Sequence, residues 1–250
     1  MLVDVHCHIH GEEFDDDRAE VVAQAAAAGL WRVLVMGQGA DDNLRALQVA
    51  ARHEILRPCL GLHPDRAGAE PVEPVLEQIR THAAQIAAVG EIGLDFWVAG
   101  DHEAREKQRV VLRQLVDLAL TLDLPVSVHS RSAGHHAIAL LQDRGARRVC
   151  LHAFDGKASH AAHAAELGYL LSVPPSIVRS EQKKKLVRRV PLESLMLETD
   201  SPVLGPDRAQ RNVPANVVVS ARAIAEIKGC PLDEVLRVTT DNARRLFRLE

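Results

Sequence analysis

The chain has 250 residues, close to the usual length of one (β/α)8 barrel. Hydrophobic residues make up 47% of it and charged residues 26%, a balance that is typical of a globular protein with a full core. The formal net charge of -4 gives no global attraction to nucleic acid. A polyanion would therefore have to be bound by local positive charge, including metal ions. We expect one domain over residues 1–250.

The four cysteines lie far apart and form no CxxC pair: Cys7, Cys59, Cys150 and Cys230. This spacing fits neither a disulfide framework nor a zinc ribbon, and it suits a reducing compartment. The sequence therefore predicts a cytoplasmic location. No run of about 18 apolar residues is present, so no membrane partner is expected.

Short β-branched, apolar runs alternate with stretches rich in alanine, leucine and arginine along the whole chain. The predicted strands are 2–9, 32–37, 57–64, 86–95, 125–130, 148–154, 169–175 and 195–202. The predicted helices include 16–28, 41–54, 101–122, 133–144, 157–167 and 181–189, and two more at 214–228 and 231–246. Buried strands that alternate with helices indicate an α/β protein with a parallel sheet. An open doubly wound sheet is the alternative, but eight such units without a GxGxxG after the first strand favour a single (β/α)8 TIM-like barrel.

Nearly every predicted strand ends in a potential metal ligand, at the face where barrels hold their active sites. The first strand ends in His6-Cys7-His8, and alternation along a strand puts both imidazoles on the same side. The later strands contribute Glu91, His129, His152 and Asp200. A single histidine at a strand end is more often a hydrogen-bonded core residue. The joint pattern over five strands indicates a metal centre.

Imidazole and carboxylate groups are the ligands of zinc and similar divalent ions. Six such groups suffice for two ions, provided that one carboxylate bridges them with its two oxygens. Two ions about 3.5–4 Å apart would activate a water and polarise the bond under attack. The ligand set favours zinc and leaves manganese, nickel, cobalt, magnesium and a third ion open.

Further polar residues near the predicted mouth are candidates for substrate contacts. A guanidinium fork matches phosphate oxygens, so Arg131, Arg179 and Arg211 are candidate phosphate clamps, each with a surface salt bridge as the alternative. His63 and Asn212 join them as candidate contacts. The complete candidate set is His63, Arg131, Asp155, Arg179, Arg211 and Asn212.

Several other residues receive structural interpretations. Side chains alternate along a strand, so His10 continues the side that carries His6 and His8. We expect His10 to be a surface residue. Glu198 is expected to be a buried hydrogen-bonding partner of the site. The basic cluster Lys183, Lys184, Lys185, Arg188 and Arg189 is interpreted as a solvated helix face leading away from the mouth. The aromatic residues placed to stack on a base are Phe14, Phe96, Trp97 and Phe154.

Six motifs occur in the order found in the TatD-related metal-dependent deoxyribonucleases, a family of amidohydrolase-type barrels: VDVHCHI, GLHP, GEIGLDF, PVSVHSR, LHAFDG and LETDSP. The segments RNVPAN and TTDNARRLF match the same family, so the resemblance runs essentially from end to end. The segments HSRSAG, LHAFDG and SVPPSIVRS look most like the branch that contains the third vertebrate TatD-domain paralogue. The chain departs from the usual family pattern at Asp155, where most members have Ser or Thr, and at Asp65.

The resemblance implies that His6, His8 and Asp200 hold one divalent ion. It implies that His129 and His152 hold a second ion and that Glu91 bridges the two. The implied activity is cleavage of DNA phosphodiester bonds by metal-activated water, commonly as a 3′–5′ exonuclease, with DNA or a nucleotide-containing substrate as the partner. Asp200 is the candidate catalytic residue, because a carboxylate near both metal and water can move the proton.

Two other functions stay open at the level of the sequence. The same site could hydrolyse an acyl ester or amide, as a D-aminoacyl-tRNA deacylase does. A non-catalytic metal-binding protein is disfavoured, because structural metal sites are usually closed by protein ligands and this ligand count leaves room for water.

Overall fold

The computed structural model describes residues 1–250 as eight short strands that alternate with helices. The strands are β1 Leu2–Cys7, β2 Leu30–Met36, β3 Leu56–Cys59, β4 Val89–Gly93, β5 Val126–His129, β6 Val149–Leu151, β7 Leu170–Val173 and β8 Leu195–Leu197. The helices are α1 Arg18–Ala27, α2 Ala40–Ala50, α3 Glu73–His82, α4 His102–Thr121, α5 Gly134–Asp143, α6 Ala158–Glu166, α7 Glu181–Arg189, α8 Val217–Lys228 and α9 Leu232–Phe247. Every strand pair is parallel, as the predicted alternation requires.

The strands form a ring with two seams. Strands β1 to β3 pair in sequence order, and so do strands β4 to β8. At the first seam, Gly90 N donates to Leu60 O at 2.8 Å. At the second, Asp200 N donates to His6 O and His8 N donates to Ser201 O, both at 2.8 Å. The second seam therefore brings Asp200 beside the histidines at the end of β1.

Two apolar clusters support this ring. The larger, of 57 buried residues, fills the layer between the strands and the surrounding helices. The smaller, of 13 residues, takes side chains from most strands and must lie inside the ring; its members include Val5, Leu34, Cys59, Cys150 and Met196. Leu246, Phe247 and Leu249 at the end of the chain belong to the same inner cluster. They close the N-terminal end of the strands, so the opposite end forms the mouth.

The predicted strands continue past the last residue of the observed ladder. The predicted strand 195–202 ends in the structure at Leu197, and 57–64 ends at Cys59. Beyond these points the backbone turns to build the mouth, and Ala153 and Asp200 adopt positive φ angles of 40° and 55°. Half of the six predicted ligands therefore lie just after the strands, namely His8, His152 and Asp200, and the other half lie within them.

Helix α3 was not named among the predicted helices. Pro74 stands in its first turn, where proline is tolerated, and Val75 and Ile79 form its buried stripe at i, i+4 spacing. The stripe is narrow, and most of its other residues are polar, so the periodic signal is weak. All four cysteines are free. None of the helices combines the length and the apolar character that crossing a bilayer would require.

Candidate metal centre

The β1 histidines present their Nε2 atoms to one point at the mouth. The two Nε2 atoms lie 3.3 Å apart. Nδ1 of His8 lies 2.9 Å from the backbone oxygen of Met36, and Nδ1 of His6 lies 3.4 Å from Ser127 Oγ. A hydrogen bond at Nδ1 favours the tautomer in which Nε2 keeps its lone pair. Both rings are therefore oriented to offer Nε2 to a cation.

Glu91 lies between two groups of imidazoles. Its Oε2 is 3.5 Å from Nε2 of both His6 and His8. Its Oε1 is 3.0 Å from His129 Nδ1, 3.3 Å from His152 Nε2 and 3.5 Å from His63 Nε2. Each carboxylate oxygen thus belongs to a different set of nitrogens.

Asp200 completes the group around His6 and His8. Its Oδ1 lies 3.7 Å from His6 Nε2 and 3.4 Å from His8 Nε2. The segment that carries it is fixed by Asp4, whose buried carboxylate accepts from Thr199 N at 2.8 Å and from Thr199 Oγ1 at 2.5 Å. The positive φ of Asp200 is disfavoured for a residue with a Cβ, so the surrounding contacts must hold it in place.

The first group matches the dimensions of a bound zinc ion. Four ligands held tetrahedrally at about 2.0–2.1 Å from a cation lie roughly 3.3–3.4 Å from one another. The separations among His6 Nε2, His8 Nε2, Glu91 Oε2 and Asp200 Oδ1 are 3.3 to 3.7 Å for the five pairs measured. On the other side of Glu91, the ligand atoms of His63, Glu91 and His129 all lie within 4.8 Å of one another. The donor set and its spacing fit divalent cations on both sides of Glu91.

Carboxylates behind the rings fix the orientation of the histidines on the Glu91 Oε1 side. Glu198 Oε2 lies 3.2 Å from His152 Nδ1, and the same carboxylate accepts from Ala153 N and Ser172 Oγ. Asp95 Oδ2 lies 3.1 Å from His129 Nε2. Such partners set the ring orientation and raise the basicity of a ligating histidine. The position of Glu198 agrees with its predicted role. Asp95 was missed, although it follows a strand just as the named candidates do.

Both central carboxylates are anionic in this setting. Burial acts to raise the pKa of Glu91, but the positive potential of His63 and His6 and hydrogen bonds from His129 and His152 hold that pKa well below its ordinary value. Burial likewise acts to raise the pKa of Asp200, and His8, His152 and His6 hold it below its ordinary value. Anionic carboxylates are the form that binds metal ions.

The centre lies at the bottom of a cavity of about 870 Å³ at the mouth of the barrel. The lining contains three basic side chains, Arg45, Arg131 and Lys183. It contains eight acidic ones: Glu12, Glu13, Asp42, Asp65, Glu91, Asp95, Asp155 and Asp200. Five histidines also line the cavity. Burial acts to lower the pKa values of His8, His129 and His152, but neighbouring carboxylates raise the pKa of His8 to about 9 and those of the other two above the ordinary value. Positive imidazoles therefore offset part of the acidic charge.

Three predicted substrate contacts line this cavity. His63 lies on the Glu91 Oε1 side and contacts Asp65 at 2.6 Å. Arg131 pairs with Asp95 at 2.9 Å. Asp155 accepts a hydrogen bond from Ser132 N at 2.9 Å, so its carboxylate also serves to hold the β5–α5 loop.

The other three predicted contacts do not line the cavity. Arg179 is exposed and donates to Gly205 O at 3.1 Å. Arg211 pairs with Asp17 and stacks over Phe14. Asn212 is buried and donates to Thr199 O and Val203 O at 2.8 and 2.7 Å, which braces the loop that carries Asp200. Arg211 thus forms the surface salt bridge that was its alternative interpretation, whereas Arg179 and Asn212 donate to backbone oxygens.

Two further interpretations from the sequence were wrong. His10 is buried rather than on the surface, because its Nε2 bonds Asp42 at 2.9 Å. The basic cluster does not point wholly away from the mouth, because Lys183 in the first turn of α7 lines the cavity. Lys183 Nζ contacts Ala153 O at 3.4 Å and makes no ion pair. Burial lowers the pKa of Lys183, and the carboxylates of Glu198, Asp155 and Asp200 partly offset this effect.

Comparisons with known proteins give the relationships of this chain. The family described as TatD related DNase matches residues 3–248. Human "Deoxyribonuclease TATDN3" is 43% identical over 259 aligned residues, which cover 98% of this chain and 94% of that protein. The "Uncharacterized metal-dependent hydrolase YabD" of Bacillus subtilis is 33% identical over the full length of both.

One of the solved structures is similar to this chain over its full length. The crystal structure of YjjV, a TatD homologue from Escherichia coli, superposes with a TM-score of 0.92 and 30% identity, covering 100% of this chain and 98% of that one. These similarities confirm the predicted TIM-like barrel and the predicted class of metal-dependent hydrolase. The chain belongs to the TatD-related DNase family.

Proposed function

We propose that this chain is a deoxyribonuclease that hydrolyses phosphodiester bonds with two divalent cations held around Glu91. The observation that carries the proposal is the position of the Glu91 carboxylate, each oxygen of which faces a separate set of imidazoles. The choice of DNA is supported by the human relative, which is named a deoxyribonuclease.

The proposed ligands follow from the distances. His6, His8, Asp200 and Glu91 Oε2 would hold one ion, and His129, His152 and Glu91 Oε1 would hold the other. The first group has the dimensions that zinc requires, while manganese, nickel, cobalt and magnesium share the same N/O donors. His63 lies close enough to Glu91 Oε1 to join the second group or to serve a third ion.

When bound, the two cations would supply an activated water and stabilise negative charge on the phosphoryl oxygens. Asp200 would accept the proton of the attacking water, because its carboxylate is anionic and borders the cavity. The same group would then return the proton to the leaving oxygen. Glu198 and Asp95 would keep the rings of His152 and His129 aligned through both steps.

The charges of the cavity connect substrate binding to metal binding. Eight carboxylates line the cavity with three lysine or arginine side chains and five histidines, so bound cations would strengthen its attraction for a phosphodiester. Lys183 is suited to contact the anion, because it lines the cavity without an ion pair of its own. Arg131 is partly neutralised by Asp95 and would act at the rim.

A substrate panel tests the proposal. Purified, metal-replete protein is given single- and double-stranded DNA, RNA, misacylated tRNA and a small phosphodiester, each with and without chelator. We expect metal-dependent cleavage of DNA at the highest kcat/KM. With 5′-labelled oligonucleotides, a ladder that shortens from the 3′ end would support 3′–5′ exonuclease action. Turnover of misacylated tRNA with no cleavage of DNA would overturn the proposal and favour an acyl-ester hydrolase.

A further inference from the structure

Trp97 is 74% exposed, the largest exposed fraction of any aromatic residue in the chain. Tryptophan is usually well buried, and it is enriched where proteins bind partners. The residue lies in the loop between β4 and α4, four residues after the end of the strand that carries Glu91. An indole left open at this position is a candidate contact for a ligand.

The loop that carries Trp97 is fixed by buried groups. Asp95, itself 1% exposed, accepts hydrogen bonds from Trp97 N at 3.0 Å and from Val98 N at 3.2 Å. Phe96 is buried, and its backbone N–H donates to Arg131 O at 3.0 Å. The backbone that carries the exposed indole is therefore well anchored.

Asp95 also connects the loop that carries Trp97 to the proposed catalytic centre. The Asp95 carboxylate contacts His129 Nε2 at 3.1 Å and Arg131 at 2.9 Å. The guanidinium of Arg131, which lines the cavity, lies 6.0 Å from the centre of the Trp97 ring. The indole and a guanidinium that lines the cavity thus lie next to each other, an arrangement that would fit a nucleotide with its base and its phosphate.

No other aromatic residue offers an open face at the mouth. Phe14, Phe96 and Phe154, which the sequence also placed as stacking candidates, are all buried in the structure. Tyr169 is buried as well. Trp31 lies at the closed end of the barrel, beneath the guanidiniums of Arg32 and Arg244.

We propose that Trp97 stacks on a nucleobase next to the scissile phosphate and so selects polynucleotides over small phosphodiesters. This inference rests on the proposed deoxyribonuclease function. Stacking is tolerant of sequence, because every base has a π-face. Losing one such contact is expected to weaken binding by roughly 5- to 150-fold.

Tryptophan fluorescence tests the contact directly, because the chain has only two tryptophans and they lie at opposite ends of the barrel. Metal-loaded protein is titrated with deoxyadenosine 5′-monophosphate and, in parallel, with deoxyribose 5-phosphate, which lacks a base. We expect the nucleotide to quench the wild type and the matched control Trp31→Phe, but not Trp97→Phe. Deoxyribose 5-phosphate should quench none of them. Quenching that survives in Trp97→Phe, or no base-dependent quenching at all, would overturn the proposal.

Kinetics separate this inference from the function on which it rests. Trp97→Ala should raise the KM for a DNA oligonucleotide by roughly 5- to 150-fold with little change in kcat, and Trp97→Phe should restore most of the loss. An abasic residue at the stacked position should impose the same penalty on the wild type and no further penalty on Trp97→Ala. If the wild type cleaves DNA and Trp97→Ala matches it, the stacking role is wrong and the function stands. If the wild type does not cleave DNA, the function itself fails.

Discussion

His6 and His8 hold their Nε2 atoms 3.3 Å apart, with the Nδ1 atom of His8 bonded to the backbone oxygen of Met36. Two nitrogen lone pairs that face one another repel, unless a proton or a cation lies between them. The carboxylate oxygens of Glu91 and Asp200 border the same point at 3.4 to 3.7 Å. A bound metal ion would explain both the close approach of the two nitrogens and the two carboxylates buried beside them.

Removal of metal should therefore stop turnover and destabilise the fold. A ligand at about 100 times its Kd adds about 2.7 kcal/mol to stability, which for a chain of this size corresponds to roughly 5–11 °C in Tm. We expect exhaustive dialysis against EDTA to abolish hydrolysis and to lower Tm by this order, and zinc or manganese to restore both. A rate that EDTA leaves untouched would exclude the metal mechanism.

Asp200→Asn should leave the fold nearly intact and remove most of the activity. The amide keeps the size of the side chain but can neither accept the proton nor contribute charge, and losing a general base typically costs 10²–10⁴-fold in rate. The measurement is kcat on DNA, with circular dichroism as the check on folding. Asp207→Asn is the matched control, because Asp207 is exposed and does not line the cavity. Activity retained by Asp200→Asn would remove Asp200 from the mechanism.

Glu198→Gln should weaken metal binding although Glu198 touches no metal. Its carboxylate accepts a hydrogen bond from His152 Nδ1. An amide nitrogen in place of Oε2 is itself a donor, so it could not accept that hydrogen bond. Loss of such a partner typically costs 10–100-fold in metal affinity. Competition with a fluorescent chelator gives the Kd. An unchanged Kd in a folded variant would show that Glu198 does not orient the ring.

Lys183→Gln should raise the KM for DNA by roughly 10- to 150-fold, because a charge-assisted contact with a phosphate contributes roughly 1.5–3 kcal/mol. Lys184→Gln is the control: it lies on the same helix and makes the same change in net charge, but Lys184 pairs with Glu181 outside the cavity. Equal effects of the two substitutions would indicate a general electrostatic effect rather than a contact at Lys183.

The six proposed ligands could be predicted from the sequence because their positions follow from the barrel itself. Strand ends in a parallel ring converge on one face, so His6, His129 and Asp200 are brought to the same end of the barrel. The surroundings could not be predicted in this way. Lys183 lines the cavity because α7 begins beside the loop after β6. His10 is buried beside α2, where its ring bonds Asp42. Such contacts depend on how loops and helices pack, which local patterns do not encode.

The predicted substrate contacts that do not line the cavity show the same limit. Arg211 and Asn212 have the chemistry to bind phosphate, yet one pairs with Asp17 of the β1–α1 loop and the other braces the segment around Asp200. Asn212 nevertheless supports the site, because its side chain holds the backbone on both sides of Asp200, the proposed base. Side-chain chemistry alone does not distinguish a group that binds substrate from one that supports its neighbour.

The bridging role of Glu91 is tested most directly by counting metal ions in the wild type, Glu91→Gln and the exposed control Glu77→Gln. An amide has one oxygen to offer and no charge, so it cannot serve two cations at once. We predict two equivalents by elemental analysis in the wild type and the control, and at most one in Glu91→Gln. Two full equivalents in Glu91→Gln, or none in the wild type, would contradict the two-metal centre.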